Sequence, residues 1–455
     1  MSNVILEHSY RYSKPSELTV TAEGPNLSLS TSGFGTTPDL FFRGKIAQPR
    51  MIGDILLSLV RVVQSRFSLP PAMLARILAL ADPVITCGED RIRFEAFSAC
   101  CSVYARVDLL PEAVDGSLVA TGTTNVDFNP GIRAALAQLR DYEPAGFTVG
   151  ATEFALESGG ETTIERKVKL PVRWLKGFVE AQAHQSRMEP RFEIKGVEVR
   201  RFVQGLPRGG SSGRPAFVVG AGSGLRLSML GDGKAIRVGG IERLRLLEES
   251  LRHAKILRVY GNADGTVSAW EMDCGTARIT IVLSPDVWRG FSGEGQVLQT
   301  LAEELPEESL ERVRNAMSWS PRVDVGSFSG ICSLEPTAVR SALARLGARG
   351  LAGFDLADGA YFRRELPFDL SLVEKLQPRL IAARKLISEN LVQVVTNTPD
   401  LIEAWVQGSG CEHRVVLTPD GNRCTCPWYA KHPEDRGPCK HVLAVQIVTG
   451  DSDEA

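Results

Sequence analysis

The chain lacks most of what would direct it to a membrane, a polyanion or an oxidising compartment. No run of residues approaches the roughly 18 apolar positions of a membrane helix, so no span is expected. Lys and Arg number 52 against 54 Asp and Glu, a net charge of −2, which provides no whole-protein attraction to nucleic acid or anionic lipid. The 9 cysteines are odd in number and scattered, which suits a reducing cytosol and excludes a disulfide framework. The opening MSNVILEHSYRYSK has no charged-then-apolar leader, so a cytoplasmic protein is expected. There is no internal repeat, and no low-complexity tract beyond the acidic end DSDEA. What remains is ordinary globular material, 43% apolar and 23% charged, and 455 residues predict three or four domains.

Against that plain background the last sixty residues stand out. Cys424-Thr425-Cys426 is followed, after twelve residues, by Cys439-Lys440-His441. Thiolate and imidazole donors suit Zn²⁺, which takes four of them in a tetrahedron at ~2.0–2.3 Å. On an extended strand residues i and i+2 share a face, so Cys424 and Cys426 can aim at one ion. KHVLAVQIV (440–448) reads as a helix start that brings Cys439 and His441 in from the other side, with Pro438 fixing the backbone before it. Pro419-Asp420-Gly421-Asn422 is a hairpin signal between Arg414–Leu417 and the strand bearing C-x-C. Four protein donors leave no open position, so one structural zinc is expected rather than a catalytic one. Cys411-x-His413 and His432 are competing donors; the bland readings are a hairpin-edge filler for Cys411 and a solvated loop for His432.

Those residues, with the CPW and GPCKH contexts, resemble the SWIM zinc finger, a ββα module with the signature C-x-C…C-x-H. The whole layout is similar to bacterial SWIM zinc-finger proteins through DPVITCGEDRIRFEAFSACCSVYARVDLL (82–110), GTTNVDFN (122–129) and LPVRWLKGF (170–178). The resemblance implies a zinc-binding, non-enzymatic protein. Proteins of that family are often encoded beside MoxR-type AAA ATPases and von Willebrand A proteins, which implies an adaptor for such a machine. SWIM modules are also associated with DNA binding, the alternative reading.

The expected fold class is α+β and multidomain. A mixed α/β domain is expected over 1–204, with strands in ELTVTAEG and NLSLSTSG and helices at 48–66, from Pro70 or Pro71 to Leu80, from Asn129-Pro130 to Arg140, and at 171–187. GLPRGGSSGRP (205–215) reads as a linker. A β-rich middle domain is expected over 216–300, with one helix near 241–254 and a hairpin turning at 273–275. The region 301–395 is expected to be mostly helical, followed by the zinc module at 400–455.

Within 301–395 the helix at 336–349 runs into LAGFDL, a turn at Asp358-Gly359, and AYFRREL. A helix followed at once by a hairpin resembles the recognition helix and wing of winged-helix domains. That resemblance places Arg340, Arg345, Arg349, Arg363 and Arg364 on a candidate nucleic-acid face with a local surplus of two positive charges. No helix is read in PRVDVGSFSGIC (321–332), where such domains carry one. The zinc module itself has five Lys/Arg against eight Asp/Glu, which favours protein over DNA contact.

Lesser signals resolve blandly. The basic stretch 176–214 reads as a solvated domain edge. VVGAGSG (218–224) lacks the G-x-G-x-x-G spacing and reads as a hairpin turn. Cys100-Cys101 sit in an apolar run without a partnering His or Asp and read as core, and the polar segment 122–129 reads as a capped loop or an unnamed site.

Overall fold

The computed structural model describes residues 17–21, 24–28, 40–67, 83–126, 128–167, 172–208, 216–263, 265, 267–285, 287, 290–291, 295, 297–302, 305–318, 320, 322–366, 377–408, 410–432 and 436–450. The helix expected from Pro70 or Pro71 to Leu80 and most of the 205–215 linker lie outside them. The architecture is α+β, with helices packed on antiparallel sheets.

The first helix forms where apolar residues recur at helical spacing. Pro49–Gln64 has proline at its first position and buries Met51, Ile52, Ile55, Leu56, Leu59, Val60 and Val63 on one side. It packs against the 3₁₀ run Ile241–His253 and the helix Pro130–Gln138. Asn129 caps the latter, its side chain accepting from the N–H groups of Gly131 and Ile132. Gly53 allows this crossing: a Cβ there would stand 2.6 Å from the Leu136 carbonyl oxygen.

Two sheets carry the bulk of the protein. One has five antiparallel strands in the order 161–166, 153–158, 145–150, 40–46, 114–118. The other has eight, in the order 189–195, 256–261, 268–273, 277–283, 103–109, 92–97, 84–87, 122–125. The hairpin expected to turn at 273–275 joins Ser268–Asp273 to Ala277–Leu283. The second of these strands pairs with Val103–Leu109 along its whole length, from Ala277↔Leu109 to Leu283↔Val103. Glu189–Lys195 likewise pairs with Ile256–Gly261. Strands from 1–204 and from 216–300 therefore share one sheet, and the 205–215 segment does not divide two β-structures. Composition marks where a chain is locally unpatterned, whereas strand pairing is decided by long-range burial.

The large sheet has an unusual face. Alternation along Ile92–Phe97 and Val103–Leu109 puts Phe94, Ala96, Ala105 and Val107 on one side. The other side carries Arg93, Glu95, Arg106 and Asp108, all fully buried, joined by Glu271 and Arg278 from neighbouring strands. What covers them is the hairpin Ala352–Asp355/Ala360–Arg363. Asp355 lies 3.0 Å from both Arg93 and Arg106 and 3.3 Å from Arg91 and Arg278. Burial works against the Asp355 carboxylate, yet Arg106, Arg93, Arg278 and Arg91 together hold its pKa below the ordinary range. The hairpin is thus fastened by ion pairs, Asp355 to its four arginines and Arg364 to Glu95.

The hairpin belongs to a three-helix unit: Glu307–Met317, Val325–Cys332 and Pro336–Ala348 precede it, and Val323 bridges to Tyr361 as a third short strand. This is the order of a winged helix. The helix Val325–Cys332 corrects the reading of 321–332 as non-helical. Asp324 caps it by accepting from the Ser327 N–H, and Phe328 and Cys332, four apart, are buried. Gly326, Gly330 and two serines dilute the apolar spacing enough to hide it. The unit has its own small core around Val313, Val339 and Leu343.

The C-terminal region is a four-stranded antiparallel sheet, 392–398, 401–407, 412–418 and 421–424, followed by the helices Pro427–Lys431 and Lys440–Thr449. The last helix packs on Pro378–Ser388, and Val442, Leu443, Ala444 and Val445 belong to the main core with Leu380 and Ala383. No helix among the described residues is long and apolar enough to cross a membrane.

Candidate metal centre

Each donor of the C-x-C…C-x-H pattern is placed by a local device. The turn at Pro419-Asp420 folds Gly421–Cys424 back on Glu412–Thr418, ending the strand at Cys424, opposite Val415. Thr425 is pinned both ways, its N–H donating to the Arg414 carbonyl and its hydroxyl accepting from the Arg414 N–H. Cys426 and Cys439 both stand at helix N-caps. The Cys426 sulfur accepts from the Tyr429 N–H at 3.3 Å and the Cys439 sulfur from the Val442 N–H at 3.4 Å. An N-terminal helix end favours negative charge, so both caps stabilise thiolates. Pro427, at the first helical position, spends no N–H there. His441 follows within the first turn of Lys440–Thr449.

The result is a closed cluster. Cys424, Cys426, Cys439 and His441 are all buried, and one donor atom from each lies within 4.8 Å of the others. Among the described residues this is the one group of three or more His, Cys, Asp or Glu side chains so gathered. Cys424 Sγ is 3.8 Å from His441 Nδ1, close to the ~3.6 Å that Zn–S and Zn–N bonds of normal length make at a tetrahedral angle. The Cys₃His donor set fits one zinc ion, and with four protein donors the site is structural.

The titration of the cluster has the same sense. A hydrogen bond from Cys424, then one from His441, push the Cys439 thiol down to about 4, against the cost of burial. Cys424 is pushed far up by the same contact, and burial raises Cys426. A divalent ion held by the four donors would displace the protons that the thiols carry.

Around the ligands, Arg379 of the helix Pro378–Ser388 clasps the approach to Cys439. Its Nη1 donates to the carbonyls of Arg436 at 2.6 Å and Pro438 at 2.9 Å, and its guanidinium lies 4.7 Å from the centre of the Trp428 ring. Trp428 therefore packs beside the cluster, on the wall of a cleft of about 430 Å³ that Cys426, Cys439 and His441 also line. His432 contacts Trp428 and is not among the gathered donors. His413 lies against the His441 ring at 4.5 Å, and Cys411 approaches His413 from the cleft. The double role of Cys426 as ligand and cap was legible in the Cys-Pro step at 426–427, a cap followed by a first-position proline; Cys439, followed by Lys440, gives no such signal.

The arginines assigned to a nucleic-acid face are scattered by the fold. Arg364 is fully buried, 2.5 Å from Glu95 and 3.1 Å from the Ala352 carbonyl. Arg363 pairs with Glu365 at 2.5 Å, and Arg349 with Glu307 at 3.2 Å. Arg345 is half-buried and donates to the Thr300 carbonyl. Arg340 alone of the five is exposed. Placing all five on one phosphate-facing surface is therefore wrong, because the wing turns inward to meet the charged sheet. Cys100 and Cys101 are buried, as a core reading requires, with Cys101 at φ 56° in the turn between two strands.

A model of the SWIM zinc finger matches residues 413–448, which hold all four donors. Comparison with curated proteins gave no match. Among solved structures, proliferating cellular nuclear antigen from Entamoeba histolytica is similar at 9% identity, with 54% of this chain and 99% of that one covered and a TM-score of 0.37. The C-terminal region of FEN-1 bound to A. fulgidus PCNA is similar at 11% identity, with 54% and 98% covered and a TM-score of 0.37. Neither likeness is strong enough to bear on function.

Proposed function

We propose that this chain, which carries a zinc-binding SWIM finger at its C-terminal end, is a non-catalytic intracellular adaptor that docks a protein partner. The partner class is an AAA ATPase of the MoxR type or a von Willebrand A protein. The carrying observation is the closed donor set: all four positions of a tetrahedral ion are filled from the chain, so the metal braces a surface instead of activating water. The outer face of the four-stranded sheet supports the reading. Trp405 is 39% exposed and Leu401 36%, both facing away from the core on one strand, and aromatic side chains are enriched at protein interfaces. Reciprocal affinity capture with a purified ATPase, repeated with Trp405→Ala, tests it. Recovery that is lost with the substitution is expected; equal recovery from both would end the proposal.

A second reading rests on the helix order at 307–348 and the exposed Arg340: a DNA-binding regulator. A gel shift that weakens steeply with salt and with Arg340→Glu favours it. Three of the other four arginines meet a carboxylate and the fourth a carbonyl, which is why the protein-docking reading is preferred.

A further inference from the structure

The cleft beside the zinc cluster holds a second pair of soft donors. Cys411 Sγ is 3.8 Å from His413 Nε2, the same separation as Cys424 Sγ and His441 Nδ1 within the cluster. Cys411 directly precedes the strand Glu412–Thr418, two positions from His413, and the contact itself puts the two side chains on one side. Cys411 is exposed, whereas each of the other eight cysteines is buried. It is therefore the thiol most open to an ion in solvent. We propose that Cys411 and His413 form a separate, open binding site for a monovalent thiophilic cation of the Cu⁺ class.

The chemistry selects that class by elimination. Among the described residues no carboxylate lines the cleft, so none of them offers the hard oxygen donors that Ca²⁺ and Mg²⁺ need. Two protein donors fall short of the four that hold Zn²⁺ tightly, while thiolate with imidazole suits Cu⁺. Arg379 and Lys440 also line the cleft, and their charge disfavours a dication more than a monovalent ion. Binding converts the Cys411 thiol to a thiolate–metal bond and releases its proton to solvent, so the Cys–Cu–His unit is neutral and no electron is transferred. Room for the pair depends on Gly408: a Cβ there would stand 2.7 Å from His413 Nε2.

The zinc-loaded full-length protein is titrated anaerobically with Cu⁺ against a chromogenic Cu⁺ chelator, and both metals are counted by mass spectrometry after desalting. Wild type is expected to hold one zinc and one copper. Cys411→Ser and His413→Ala should keep the zinc and lose the copper. Gly408→Ala, which retains both donors, should weaken copper binding tenfold or more. Copper that displaces zinc mole for mole, or that remains in Cys411→Ser, overturns the proposal. So does zinc lost from Cys411→Ser, because Cys411 would then be a ligand of the first site.

Discussion

Arg364 Nη1 meets Glu95 Oε1 at 2.5 Å with both side chains sealed from solvent, and this pair ties the wing of the helical unit to the large sheet. Glu95 also accepts from the Tyr104 hydroxyl at 2.7 Å. An arginine that sequence pattern assigns to a solvent-facing wing is thus part of an interior seam. The seam continues through Asp355 and its four arginines.

Breaking that pair from one side should be costly. Arg364→Met leaves Glu95 charged and buried without its cation, and losses of about 3–5 kcal/mol are typical for one-sided removal. The double variant Glu95→Leu with Arg364→Met should recover much of the loss. Chemical denaturation of the three proteins measures this. An Arg364→Met protein as stable as wild type would mean that the seam is solvated.

Glu271 makes stability depend on pH. Burial, partly countered by Arg278, pushes its pKa up to about 7 from an ordinary carboxyl value of 4.5. Between those values the folded form binds more protons than the unfolded one, so this group's contribution falls as pH rises from about 4.5 to 7. The fall is on the order of 3 kcal/mol across the window. Glu271→Gln should flatten it and gain most, relative to wild type, above pH 7. Melting curves at a series of pH values test this, and an unchanged slope in the variant would count against it.

Metal loss should loosen more than the finger. Structural zinc contributes roughly 10–16 kcal/mol of apparent binding free energy in small fingers. Here the last helix also packs on Pro378–Ser388. Cys439→Ser is expected to purify without zinc and to lose amide protection over 412–424, 440–449 and 378–388, while the eight-stranded sheet keeps its protection. Zinc retained at one equivalent, with full protection at 440–449, would falsify the Cys₃His assignment.

The crossing at Gly53 is sterically tight. Gly53→Ala puts a methyl against the Leu136 carbonyl, part of a helix backbone that cannot rotate away. Overpacking of this kind costs about 1–3 kcal/mol. Thermal unfolding should show the drop, and Gly159→Ala, with nothing within 4 Å but φ 60°, separates steric crowding from backbone strain.

The sequence by itself determined what depends on near neighbours. Cys424, Cys426, Cys439 and His441 were identifiable because donor spacing along a strand and a helix start is local geometry. The helix Pro49–Gln64, the Asn129 cap, and the turns at 273–275 and 419–420 were legible for the same reason. Tertiary structure alone decided that strands from both sides of the 205–215 segment join one sheet, that Val325–Cys332 is helical, and that the wing's arginine faces inward. Each of these follows from burial and charge pairing between residues a hundred or more positions apart, or, for Val325–Cys332, from packing that overrides weak helix propensity. Short-range patterning carries no record of such partners.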